Sequence, residues 1–217
     1  MARGRFITFE GGEGAGKSTQ ARLLADYLTG SGVAVVVTRE PGGSPFAEAI
    51  RNVVLDPAMP PHSQLAEALL FNAARADHLE RTIRPALDHG RWVICDRFID
   101  STRVYQGVVG GLDAEALDAL DRIVVQPTLP DLTILIDLDP VVGLARVEQR
   151  RMGTARVPVD RYEARPVDFH EQLRAAFLTI ARAEPMRCVV VSGFQSVDAL
   201  AGEVRGHVDA RLRGRAA

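Results

Sequence analysis

Apolar runs and polar breaks alternate along the chain with a regular beat. Five short runs read as strands: Phe6 to Glu10, Val33 to Thr38, Arg91 to Asp96, Leu132 to Asp137 and Cys188 to Ser192. Their cores are continuously apolar and rich in β-branched residues, as in parallel strands covered on both faces. Helical spacing fills the intervals. It runs through Thr19 to Leu28, Phe46 to Leu55, Gln64 to Leu87, Ala114 to Val125, a helix opening at Pro140, Asp168 to Ala183, and a last helix after Ser196.

Punctuation supports these bounds. Ser44-Pro45 offers an N-cap and a proline at the first helical position, and Asp113 and Ser196 offer caps for later helices. Pro85 is expected to break or kink the long Gln64–Leu87 helix near its end. Leu65, Leu69, Ala73 and Ala76 form its apolar stripe. Pro41 could form a cis peptide with Glu40. Ile99 to Gly111 is polar and Gly-rich at its end. Arg146 to Arg165 holds six arginines together with Gly153, Thr154 and Pro158, which predicts that much of it is a mobile loop. Arg211 to Ala217 reads as a short frayed tail.

Strand and helix in alternation predict one α/β domain over residues 1–217: a three-layer sandwich with a five-stranded parallel sheet and right-handed crossovers. Ligands then belong at the carboxyl ends of the strands. Glu10 to Gly11, Arg39 to Gly43, and Asp96 to Arg97 stand there, and all three clusters are polar.

Composition narrows the classes. The 217 residues are 47% hydrophobic, enough for a substantial core, and the net charge of −2 supplies no basic field for nucleic acid or anionic membrane. No apolar run approaches the roughly 20 residues of a membrane span, and Met1 to Arg5 leaves no room for a signal peptide. Cys95 and Cys188 both lie in strand-like runs and read as buried thiols, so the expected compartment is the cytoplasm. The five histidines show no metal-ligand spacing.

The chemistry centres on Gly11-Gly12-Glu13-Gly14-Ala15-Gly16-Lys17-Ser18, between the first strand and the first helix. Glycines let successive N–H groups turn inward around phosphate oxygens, and the helix N-terminus adds partial positive charge. Lys17 can reach β- and γ-phosphates, and Ser18 can offer a hydroxyl to Mg²⁺. Thr19 completes this nucleotide-binding stretch. Asp96 ends an apolar strand, where a second Mg²⁺ ligand belongs, and Arg97 can grip another phosphate through bidentate bonds. An ordinary strand-end ion pair is the alternative.

The arginine-rich segment could be a solvated helix face or a nucleic-acid patch, but Tyr162 is its only aromatic between Arg146 and Arg165. A lid fits better, because an arginine brought to the transferring phosphoryl can be worth ~10³–10⁵ in rate. Phe71 and Arg75 share a helix face. They are either a core ring and a surface charge, or a pair that stacks on a base and reads its edge. A guanine-reading Asn-Lys-x-Asp element is absent, which argues against a switch GTPase.

Taken together, these residues resemble a bacterial thymidylate kinase, from Phe6 to about Leu212. The resemblance rests on Phe9-Glu10-Gly11-Gly12-Glu13-Gly14-Ala15-Gly16-Lys17-Ser18, Thr38-Arg39-Glu40-Pro41-Gly42-Gly43, Leu70-Phe71-Asn72-Ala73-Ala74-Arg75, Asp96-Arg97-Phe98, and Ser101-Thr102 with Tyr105-Gln106-Gly107. It implies transfer of phosphate from ATP, with Mg²⁺ as cofactor, to dTMP, in a cytoplasmic homodimer that binds neither nucleic acid nor membrane. Glu13 would approach the deoxyribose 3′-hydroxyl, and Arg39 and Arg97 would hold the dTMP phosphate. Phe71 would stack on thymine, Arg75 would read its O4, and Ser101, Thr102 and Gln106 would line the acceptor site. Tyr105 would crowd the 2′ position, and Ser18 and Asp96 would serve the metal. Gly14 stands where some relatives carry a loop arginine, so the lid, at roughly 150–162, would supply that charge. Arg151 is favoured, then Arg156, with Arg150 and Arg161 behind them. A kinase for another nucleoside monophosphate is the nearest alternative, and a non-catalytic nucleotide-binding regulator is the next.

Overall fold

The computed structural model describes residues 3–153 and 161–213. Its five strands are β1 (Phe6–Glu10), β2 (Val35–Arg39), β3 (Trp92–Asp96), β4 (Leu132–Asp137) and β5 (Cys188–Ser192). They form one parallel sheet in the order β2-β3-β1-β4-β5. β1 lies at the centre and is buried along its whole length. Phe9 pairs with Asp96, and Arg39 pairs with Asp96 from the other side, so the three polar strand ends meet at one edge of the sheet.

Helices cover both faces. α1 (Lys17–Gly30) and α9 (Val197–Val208) pack Leu24, Leu28, Leu200 and Val204 against Ile7, Phe9, Ile94 and Ile134. On the opposite face α4 (Arg84–Asp88) and the stretch Leu79–Ile83 that joins it to α3 (Gln64–His78), with α5 (Ile99–Thr102), enclose Phe6, Val93 and Cys95. α8 (Val167–Ala183) brings Leu173 and Phe177 onto Val104, Tyr105 and Leu135. α2 (Pro45–Val54) packs on α3 through Ala47, Ile50, Val54 and Ala74. Ser44, Ser63 and Ser196 cap α2, α3 and α9 through their hydroxyls.

Several expectations need correction. β2 begins at Val35, two residues later than the apolar run, and takes in Arg39. Pro85 does not break its helix. A π-helical stretch at Leu79–Ile83 widens the turn before it, and the proline sits in the first turn of α4. The stripe of Leu65, Leu69 and Ala73 is exposed, and α3 buries Glu67, Asn72, Arg75 and His78 instead. Ile99 to Val109 is helical, as α5 followed by a π-helical stretch from Arg103. Asp113 precedes α6 (Ala114–Leu120) without a side-chain cap bond, and a further π-helical stretch follows at Asp121–Val125. α7 (Pro140–Gly153) carries Arg146, Arg150 and Arg151 on a helix, where a loop was expected. The tail stays helical as far as Arg213. Glu40–Pro41 is cis, as is Gln126–Pro127.

Candidate active site

The glycine loop leaves β1 at Gly11 and enters α1 through Gly16. Gly11, Gly14 and Gly16 have φ of 135°, 67° and 99°, which side chains rarely adopt. Gly16 gives α1 no side-chain cap, which leaves the opening N–H groups of the helix without a side-chain acceptor at that position. Lys17 is buried, and its Nζ donates to Gly11 O at 3.1 Å and Gly12 O at 2.7 Å. Burial, joined by the nearby Arg97 charge, lowers the Lys17 pKa; Glu13, Asp96 and Glu10 oppose that shift. The loop crest rests on the first turn of α7. A Cβ on Gly14 would lie 2.0 Å from Gly143 O, and one on Gly143 would lie 2.2 Å from Glu13 O. Only two glycines permit that approach.

Beyond the loop, Arg97 stands just past β3 with φ 71°. Its Nη2 donates to Glu13 Oε1 at 2.6 Å, and Nη1 donates to Gly11 O and Ser101 Oγ, both at 3.2 Å. The guanidinium lies 5.3 Å from the Tyr105 ring centroid, and the Tyr105 hydroxyl donates to Glu13 Oε1 at 3.0 Å. Burial would raise the Glu13 pKa, but Arg97, Lys17 and the Tyr105 bond together hold it down at about 2. Burial likewise opposes the Arg97 charge, but Glu13, Tyr105, Asp96 and Glu10 together more than offset this and raise its pKa. Arg39 is exposed at the cleft rim and pairs with Glu48 at 3.2 Å.

A second polar group lies under α3. Arg75 is 2% exposed. Its Nε donates to Glu40 Oε2 at 2.7 Å, and Nη2 donates to Thr102 Oγ1 at 2.9 Å and Phe98 O at 3.2 Å. Glu40 also meets His78 Nδ1 at 3.1 Å, and Thr38 Oγ1 meets His78 Nε2 at 2.7 Å. The guanidinium is therefore held on several sides, 5.2 Å from the Phe98 ring centroid, and it lines the same cleft as Phe71. Gln106 Nε2 and the Tyr162 hydroxyl each donate to Glu67 Oε1 at 2.7 Å. Tyr162 sits edge-on to Tyr105 at 5.1 Å, closing the wall.

These groups line one cleft of about 990 Å³. It brings together Glu13, Gly14 to Thr19, Arg39, Phe71, Arg75, Asp96, Arg97, Ser101, Thr102, Tyr105 and Gln106. Gly11 and Gly12 contribute through their carbonyls behind Lys17. The lid arginines divide. Arg146 and Arg150 line the cleft, with Arg146 Nη2 donating to Gly193 O at 3.2 Å. Arg151 does not line it and pairs with Glu148 at 2.8 Å. Arg161 is bonded to Glu67 and stacks on Tyr162 at 5.0 Å. Arg156 lies outside the described residues. Sequence reasoning assigned no role to Glu40, Glu67 or the wall formed by Ser196, Val197 and Leu200. Glu40 had one available signal, a carboxylate at the end of a strand facing the cleft.

Ser18 Oγ donates to Asp96 Oδ2, so a hydroxyl and a carboxylate converge beside the loop. That donor set suits Mg²⁺, which takes few protein oxygens and fills its octahedron with phosphate and water. Among the described residues no group of three or more acidic, histidine or cysteine side chains is arranged to cage a metal.

A sequence profile of the family described as "Thymidylate kinase" matches residues 9–204, most of the chain. The chain belongs to the thymidylate kinase family. Membership makes it a phosphotransferase. Its relatives include the thymidylate kinase of Nitrobacter winogradskyi, 50% identical over 202 residues, 93% of this chain and 86% of that one. The thymidylate kinase of a Bradyrhizobium species is 50% identical over 210 residues, covering 97% and 92%. The crystal structure of thymidylate kinase from Ehrlichia chaffeensis superposes with a TM-score of 0.75 at 36% identity, covering 95% of this chain and 99% of that one. The five-stranded parallel sheet with flanking helices is thus the family's fold.

Proposed function

We propose that the protein transfers the γ-phosphoryl group of ATP to the 5′-phosphate of dTMP, giving dTDP and ADP, as a single cytoplasmic domain with its lid near 150–162. The observation that carries this reading is the position of Arg97, between the glycine loop and the Arg75 group in one cleft. A cation there fits an acceptor that already bears a phosphate. The glycine loop and Lys17 hold the donor phosphates. Ser18 and Asp96 would hold Mg²⁺, which would supply positive charge to the donor phosphates. Arg39 and Arg97 grip the acceptor phosphate, whose oxygen is the nucleophile, so no side chain need remove a proton. A loose transition state asks for alignment and charge stabilisation.

The base lies against Phe71, with Arg75 donating to its O4 and Thr102 and Gln106 completing the edge. The sugar meets Glu13 and Tyr105. Arg150 supplies the lid charge in place of Arg151, because it lines the cleft while Arg151 is held by Glu148. Arg156 and Arg161 complete the candidate set. The apolar residues left exposed on α2 and α3 support a homodimer. Among the described residues no helix is long and apolar enough to cross a membrane.

The test is a coupled ADP-release assay with ATP and Mg²⁺ against dTMP, dUMP, ribo-TMP, dCMP, dGMP, AMP and thymidine. Strong turnover of dTMP, with weaker use of dUMP, is expected. Preference for another monophosphate would discard the roles of Phe71, Arg75 and Tyr105 but keep the kinase. ATP binding with no product from any acceptor would leave a nucleotide-dependent regulator.

A further inference from the structure

Glu10 ends β1, is 1% exposed, and takes no direct part in the transfer set out above. Its side chain nevertheless reaches across to the turn after β3. Oε1 accepts from Phe98 N at 2.8 Å and from Ser101 N at 3.3 Å. Oε2 accepts from Ser101 Oγ at 2.7 Å. The same Ser101 Oγ accepts from Arg97 Nη1 at 3.2 Å. One carboxylate therefore fixes both the backbone after Arg97 and the hydroxyl that Arg97 leans on.

That turn needs fixing. Arg97 is, among the described residues, the non-glycine residue with a positive φ, at 71°. Such a conformation is costly for a residue with a side chain and persists only where its surroundings hold it. Phe9 O accepts from Arg97 N at 2.9 Å, so consecutive residues of β1 clamp the turn, one through its backbone and the next through its side chain. Burial and the neighbouring Asp100 push the Glu10 pKa up to about 7, against the Ser101 bond, Arg97 and the Phe98 N–H. Asp100 is itself tied bidentately to Arg187 at 2.7 and 2.8 Å, so it cannot swing away to relieve Glu10. An acid kept in such a place serves the groups it bonds.

We propose that Glu10 is the positioning residue for Arg97: its carboxylate holds the left-handed turn and, through Ser101, aims the guanidinium at the acceptor phosphate. This rests on the reading that Arg97 binds that phosphate. The effect belongs to the acceptor side of the cleft, because none of these bonds reaches Ser18 or the N–H groups at the start of α1.

The experiment is steady-state kinetics with dTMP and ATP varied separately, on Glu10→Ala, Glu10→Gln, Ser101→Ala, Arg97→Ala and the Glu10→Ala/Arg97→Ala double variant. Glu10→Ala should raise KM for dTMP by about tenfold to a hundredfold, the scale of charge-assisted hydrogen bonds lost, with KM for ATP nearly unchanged. Glu10→Gln should recover part of the loss, since its carbonyl oxygen still accepts from Phe98 N and Ser101 N. The double variant should be no worse than Arg97→Ala alone. A loss that multiplies on top of Arg97→Ala, or an equal rise in both KM values, overturns the proposal. If Glu10→Ala does not fold, Glu10→Gln and Ser101→Ala decide: each should raise KM for dTMP selectively, and wild-type values in both overturn it. Should Arg97→Ala itself leave KM for dTMP unchanged, the acceptor-phosphate reading falls and takes this one with it. A damaged Arg97→Ala beside intact Glu10 and Ser101 variants overturns the role of Glu10 alone.

Discussion

Arg150 and Arg151 follow one another on α7, so their side chains point about 100° apart around the helix axis. One direction leads into the cleft and the other to Glu148. Arg150→Ala should lower kcat by at least about tenfold with little change in ATP affinity, the signature of a charge used mainly in the transition state. Arg151→Ala should stay within about twofold of wild type, because an exposed i,i+3 ion pair contributes little. Steady-state kcat and nucleotide titration on the two variants check this, and the reverse ranking would return the role to Arg151. Sequence order alone could not separate these neighbours, since the choice depends on helical phase. The phosphate loop was legible because its spacing carries its own geometry. Glu40 and Glu67 were not, because each acts by holding another side chain, and a holding carboxylate looks like any other in sequence.

At the scale of elements, α7 meets the phosphate loop backbone to backbone. Gly143 lies on its first turn, with Arg146 and Arg150 three and seven residues on, along the same side of the helix. Gly143→Ala would bring a methyl to 2.2 Å from Glu13 O and push the two elements apart. The variant should lose about 1–3 kcal/mol of stability by overpacking, and at least about tenfold in kcat/KM as the arginines retreat from the donor. Gly202→Ala on α9, where the added methyl meets nothing within 4 Å, is the control and should be neutral or slightly stabilising. Thermal unfolding and kinetics on both variants test the difference, and a normal Gly143→Ala enzyme would show that the contact is slack. The strands were legible because central parallel strands are apolar on both faces. α5 and the stretch after it were not, because Thr102, Tyr105 and Gln106 turn polar groups toward the cleft. α7 was foreshortened in sequence because its arginines and Gly153 mimic a loop.

Across the whole molecule, the largest departure from pattern is α3. Its apolar stripe points outward: Leu65 is 47% and Leu69 49% exposed, with Phe46 and Val53 of α2 at 54% and 49%. Its polar side is buried: Arg75 lines the cleft, and Glu67 and His78 bond to groups beside it. The usual inference from amphipathic spacing assumes that water lies on the polar side, and here a ligand site takes that place. The exposed apolar face is the expected seam of a dimer. Leu69→Lys should therefore convert a dimer to a monomer in sedimentation or light scattering while far-UV circular dichroism stays unchanged. A wild-type protein that is already monomeric at micromolar concentration would remove the seam.

An ordinary surface helix keeps one side on which substitutions drift freely, and α3 has none to spare. One side carries Arg75, proposed to read the base, with its supports, and the other carries the proposed seam. Changes that retune which base is accepted and changes that retune assembly can both fall on the same fifteen residues. A shift of this helix by even one position in register would disturb both at once, so substrate choice and subunit pairing are bound to evolve in step.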